Sequence, residues 1–188
     1  MRLTATSQTW WRLDADPHET WTWDGFTAPR HRFDPPSGRF RVRYAANDPV
    51  AAARERFPSR RIGPNAATLQ LVQLHGPPSA LHLTHQINLD ALGLDDRVNT
   101  GRLDHPLPGG GDPLLAVSQQ LSDAVYDWWD HSPPPLIYRT RSTPAARSMA
   151  FSQTCTWHQV RSRQLRDATA LLVELVAFHG FDVPTAWL

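Results

Sequence analysis

The run FRVRYAA at 40–46 alternates apolar and polar side chains, with Phe40, Val42 and Tyr44 on one face and Arg41 and Arg43 on the other. A period of two predicts a strand. The pattern then changes. Asn47 or Asp48 supplies a helix cap, Pro49 suits a first turn, and Ala51, Ala52, Ala53, Arg54 and Glu55 continue a helix that Pro58 ends. The unit reads as strand, cap and short helix.

The same reading gives a strand at 9–13 (TWWRL), an irregular loop over 14–38 rich in Pro, Trp and Gly, and strands at 67–75 and 79–94, the second running into a turn. Residues 95–113 read as a long polar loop. Apolar positions 114, 117, 121, 125 and 128 predict an amphipathic helix over 113–130, stopped by SPPP. Strands follow at 135–141 and 148–157. A helix over about 160–180 closes the chain, with Leu165, Ala168, Leu172, Leu175 and Val176 as its buried stripe and Gly180 at its end. No repeat is visible, and regular helices do not separate most of the strands. The expectation is one mixed α+β domain over residues 1–188.

Composition bounds the partners. With 188 residues, 40% hydrophobic and 20% charged, the chain is an ordinary globular domain. Its 19 basic residues nearly balance 18 acidic ones, so no global charge draws it to nucleic acid. Every basic residue is arginine, which reads as a compositional bias and leaves open what individual arginines do. Cys155, the single cysteine, cannot form an internal disulfide, and in AFSQTCTWH it reads as a buried, inert thiol on a strand or strand end. The N-terminus lacks the apolar core of a signal peptide, and no run of 18 apolar residues occurs. A cytoplasmic protein, with neither a membrane nor nucleic acid as a direct partner, is expected.

Most familiar chemistry finds no foothold. His82 and His85 would face opposite sides of a strand, and neither a cysteine nor paired acids join them and His75, so no metal is expected. The glycines at 109–111 lack a following GK[ST] and read as a flexible loop. No GxSxG or HExxH occurs. The stretch HRFDPPSGRFRVRYAANDPVAAARERF at 31–57 differs, for it holds six arginines around Tyr44 and Glu55. Those two residues lie eleven apart, and a strand–loop–helix turn can bring both to one cleft. Arg32 and Arg39 flank the strand, and a guanidinium there can hold a pyrophosphate bidentately. A carboxylate amid arginines suits holding a ribose hydroxyl or stabilising positive charge. By composition alone, a solvated arginine face is the weightier reading.

The pattern RFDPP…RVRYAANDPVAAARERF resembles the RES-domain family, named for its Arg, Glu and Ser. Members show an Arg-aromatic pair, a short Gly-containing turn, a strand ending in Tyr and a helix carrying Glu. Here these are Arg32-Phe33, Tyr44 and Glu55, at the family's own spacing. WWRLD looks like the family's first strand, with Arg12 as its arginine. IYRTRSTPAARSMAF resembles the segment carrying the third named residue, usually Y-x-S-R, and reads Tyr138-Arg139-Thr140-Arg141. Thr140 thus stands at the serine position, with Ser142 as the alternative. Arg39 competes with Arg32 for the family arginine.

The resemblance implies a fold similar to ADP-ribosyltransferase toxins, with a cleft for NAD⁺ as substrate and no metal or prosthetic group. It implies a toxin that cleaves the nicotinamide–ribose bond, with water or inorganic phosphate as acceptor, and a cognate DNA-binding antitoxin encoded beside it. Glu55 would meet the ribose, Arg32 or Arg39 the pyrophosphate, and Tyr44 the nicotinamide or ribose. Thr140 or Ser142 would hold the nicotinamide or ribose end, and Arg12 or Arg141 a phosphate. Two alternatives stand beside it. A protein ADP-ribosyltransferase would want a second carboxylate two residues before Glu55, where the chain has Ala53. A non-catalytic antitoxin-binding module is kept open by Thr140. The eight tryptophans are left between core, homo-oligomer interface and antitoxin surface.

Overall fold

A computed structural model describes residues 1–6, 8–23, 29–77, 79–100, 113–140, 143 and 145–188. The glycines at 109–111 lie outside the described residues. The chain runs through β1 (Leu3–Ala5), β2 (Thr9–Asp14), β3 (Arg43–Ala46), α1 (Pro49–Arg56), β4 (Gln70–His75) and β5 (Ser79–His82). Three helices follow, α2 (Gln86–Leu92), α3 (Arg97–Thr100) and α4 (Pro113–Trp128). β6 (Leu136–Arg139), β7 (Arg147–Phe151), β8 (Gln159–Gln164) and α5 (Thr169–His179) complete it.

The strands form one mixed sheet in the order β1–β5–β6–β7–β3–β2–β4–β8. Among the strands of the described residues, only β5 and β6 are parallel neighbours, and the crossover that parallel pairing demands is the segment carrying α2, α3 and α4. Alternation then sorts the side chains. Leu13 and Leu71 meet α1 and α5 through Val50, Ala53, Leu172 and Leu175. Further along the sheet, Leu81, Leu136 and Ala150 pack with Leu89, Val98, Leu121 and Val125 of the crossover helices. The opposite side of the sheet buries Trp10, Val72, Leu74, Ile137 and Met149 with Trp21. The result is a compact single α+β domain. No helix among the described residues is long and apolar enough to cross a membrane.

The tryptophans near the N-terminus are packing groups. Trp10 and Trp21 are buried, and Trp11 and Trp23 lie against core clusters. Cys155 sits half-buried in the turn after β7, and desolvation pushes its thiol up to about 12, so it stays protonated and unreactive.

Several sequence expectations are corrected. Residues 79–94 do not run on as a strand; His85 caps α2 after a turn, and that turn lays the His85 ring on His82 at 4.6 Å and 12°. The two histidines therefore share a side. Burial above all holds the His82 pKa down at about 4, so the pair is uncharged at that residue near neutrality. No group of three His, Cys, Asp or Glu able to hold a metal occurs among the described residues. Residues 159–164 form the edge strand β8, and α5 begins only at Thr169. Val176 is 37% exposed and so leaves the predicted stripe. In α4 the buried set is Ser118, Leu121, Ser122 and Val125, with Val117 and Trp128 turned outward.

The cap before α1 is Asp48, whose Oδ1 accepts from the Val50 amide at 2.8 Å. Asn47 instead ties the chain to β7, accepting from the Arg147 amide at 2.8 Å. Asp48→Ala is expected to lower stability by about 1 kcal/mol, read from the urea unfolding midpoint.

Candidate active site

The site follows from a break in the sheet. β2 pairs with β4 through six registered residues and β3 with β7 through four, yet β2 and β3 meet only at Trp11 and Ala46. Past that pair the strands part, and side chains replace the ladder. Arg12 Nη1 donates to the Tyr44 carbonyl at 2.9 Å, and Arg43 Nη1 reaches Asp14 Oδ2 at 2.7 Å. Arg12 Nε donates to the same carboxylate oxygen at 2.6 Å. A cleft of about 930 Å³ opens here, within the range of small-molecule binding sites. Its walls are β2, β3, the end of α1 and the turn at 30–34, and they bring together seven arginines and three carboxylates.

Glu55 reaches this cleft from the last turn of α1. Ser148, fully buried on β7, donates from its hydroxyl to Glu55 Oε1 at 3.0 Å, joining residues 93 apart in sequence. Glu55 keeps one side open to solvent while protein crowds the others. That desolvation raises its pKa; the Ser148 hydrogen bond and the positive charge of Arg32 pull the other way and do not fully offset it. Arg32 is buried, with its guanidinium 4.9 Å from the Tyr138 ring centre and Nη1 donating to the Asn99 carbonyl at 3.1 Å.

Tyr44 organises the arginine-bearing turn. Its hydroxyl donates to Asp34 Oδ1 at 2.8 Å and accepts from the Phe33 amide at 3.1 Å. Asp34 Oδ2 accepts from the amides of Arg30 and His31 at 2.9 and 2.8 Å. Burial, then the Asp34 charge, push the phenol well above its ordinary range, so it is a permanent donor at neutral pH.

Of the expected site residues, Arg12, Arg32, Tyr44 and Glu55 line the cleft together. Arg39 does not: it is tied to Asp127 at 2.7 Å and Asp123 at 3.4 Å on α4 and covers the Tyr126 ring. Arg32, by contrast, is held in the cleft wall by its turn. Phe33 is fully buried in the core against Tyr138, so its side chain cannot meet a ligand. Thr140 is buried, and its hydroxyl donates to the Thr143 carbonyl at 2.5 Å and accepts from the Thr143 amide at 3.1 Å. It fastens a turn. Arg141 and Ser142 lie outside the described residues. Ser148, Asp34 and the Asp14–Arg43 pair were missed; the only local signal for Ser148 was a hydroxyl within the strand pattern SMAF.

Residues 9–173 match the family model of the RES domain. No curated protein and no solved structure matches.

Tyr44→Phe leaves the Phe33 amide and a buried Asp34 oxygen without their hydroxyl partner. It is expected to cost about 1–3 kcal/mol in urea unfolding. An unchanged midpoint would deny the phenol its role in holding the turn.

Proposed function

The chain belongs to the RES-domain family, one associated with toxin–antitoxin systems and with activity on NAD, and on that premise we propose that it cleaves the nicotinamide–ribose bond of NAD⁺. The observation that carries this reading is Glu55, an ionisable carboxylate held by Ser148 in an arginine-lined cleft. Loss of nicotinamide leaves oxocarbenium character on the ribose, and a carboxylate beside that carbon stabilises it. The arginines bind the pyrophosphate, and the positive charge of Arg32 also acts on Glu55. Water or inorganic phosphate then attacks the same carbon. As a toxin, the protein would be restrained by a DNA-binding antitoxin encoded beside it.

Asp14 and Asp34 also line the cleft, but both are occupied. Asp14 accepts from Arg12 and Arg43, and Asp34 from Tyr44 and two backbone amides. Glu55 is the exposed acid of the three. Ala53, two residues before it, is fully buried and offers no second carboxylate to activate a protein acceptor, which favours a small acceptor.

NAD⁺ consumption by the purified protein, with and without inorganic phosphate, tests this. Phosphate-dependent ADP-ribose-1″-phosphate means phosphorolysis, and ADP-ribose in both conditions means hydrolysis. No loss of NAD⁺ in either would sink the catalytic reading.

Glu55→Gln is expected to cut turnover about a hundredfold or more. It should not destabilise the fold at neutral pH. The raised pKa means the folded state disfavours ionised Glu55, so the glutamate's contribution to stability is present below its unfolded pKa and lost as pH rises through the folded one. The same shift places the acid limb of activity above that of an ordinary glutamate. Ser148→Ala removes a hydrogen bond that favours the carboxylate, so the limb should move to higher pH still, visible in a kcat/KM profile.

A further inference from the structure

Arg54 lines the same cleft as its neighbour Glu55, yet it is anchored from two segments distant in sequence. Its Nη1 donates to the Thr143 hydroxyl at 3.3 Å, and its Nη2 lies 3.1 Å from Nδ1 of His179 at the end of α5. Both anchors are themselves fixed. Thr143 is gripped through its amide and carbonyl by the Thr140 hydroxyl. His179 receives a hydrogen bond from Arg60 Nη1 on its carbonyl at 3.3 Å, and Gly180, at φ 65°, ends the helix beside it.

A guanidinium has no lone pair, so the contact with Nδ1 is attractive only when that nitrogen accepts. The ring proton then belongs on Nε2, which faces the Glu174 carboxylate at 3.8 Å. A neutral His179 with this tautomer satisfies both neighbours.

We propose that Arg54 is a ligand-binding residue of the cleft that holds an oxyanion of the dinucleotide, with His179 and Thr143 as its positioning residues. The proposal rests on the cleft being the dinucleotide site. Its anchors hold the planar guanidinium at the cleft wall, and anchoring removes rotamer freedom that binding would otherwise have to quench. His179 lies beyond residue 173, where the family match ends, so this support belongs to the chain's own C-terminal helix. The charged and titratable groups facing His179 are Arg54 from α1, Arg60 from the segment after it, and Glu174 on its own helix.

Calorimetric titration of the full chain with ADP-ribose provides the test, with the fold of each variant checked by circular dichroism. At pH 8, Arg54→Gln should weaken binding about tenfold or more, and Arg54→Lys should fall between it and the unaltered protein. His179→Ala should weaken binding severalfold. His179→Gln, whose amide oxygen can also accept from the guanidinium, should bind better than His179→Ala. Equal affinity in Arg54→Gln and the unaltered protein would overturn the proposal and leave the cleft's function standing. Unchanged affinity in His179→Ala would overturn the role of His179. Failure of the unaltered protein to bind ADP-ribose would overturn both this inference and the dinucleotide reading.

Discussion

The parting of β2 and β3 is the constraint on which the site depends. Past Trp11 and Ala46 the two strands have no ladder between them, so their facing backbone groups need other partners. Arg12 supplies one by donating to the Tyr44 carbonyl, and Asp14 and Arg43 bridge the gap with a buried ion pair. A lone buried charge here would be severely unfavourable. Burial pushes Asp14 up, but Arg12, Arg43 and the Asp16 amide outweigh it and hold the carboxyl below its ordinary value. Arg43 loses ground to the same burial, while Trp21 and Trp23 offer their ring faces at 4.5 and 5.3 Å. The irregular loop that carries these tryptophans thus helps keep the cleft open.

From this arrangement comes a division of labour among the acids. The cleft's excess of arginine suits an anionic ligand and by itself disfavours a further positive charge within it. Two of the three lining carboxylates cannot answer that, because one neutralises Arg12 and Arg43 and the other holds the turn at 30–34. Of the three, Glu55 alone is exposed. Its raised pKa is the expected cost of placing a carboxylate where protein crowds it, and Ser148 and Arg32 limit that cost without cancelling it. The helix that presents Glu55 is eight residues long and poor in apolar residues apart from alanine and Val50. Its placement comes from its cap and from the sheet beneath it.

Much of this was legible in the chain. Alternation at 40–46, the cap and proline before α1, and the Tyr44–Glu55 spacing together place two cleft residues correctly, because all three are local signals. What failed was non-local. LHLTH alternates as a strand should, and no local signal shows that His85 turns back over His82. QVRSRQ is polar because β8 is an edge strand with one neighbour, so it lacks the apolar face that would have marked it. Arg32 and Arg39 could not be ranked from sequence, since the choice depends on Asp123 and Asp127 drawing Arg39 onto a helix more than eighty residues away.

The hydroxyls show the same limit most sharply. Thr140, Ser142 and Ser148 all lie within nine residues, and spacing alone offers no way to choose the one that meets Glu55. The pairing of β3 with β7 makes that choice. It sets Ala46 opposite Ser148, and Asn47 extends the pairing by exchanging hydrogen bonds with Arg147 just before α1 begins. The register that pins the start of α1 therefore also sets Ser148 beneath its last turn. Thr140, buried with its hydroxyl already committed to Thr143, serves the cleft from outside by holding the turn against Arg54. A one-residue slip of β7 would turn Ser148 to the opposite face of the sheet and bring Met149 or Arg147 beneath Glu55. Strand register, which sequence specifies only through the whole core, is what couples the carboxylate to its hydroxyl.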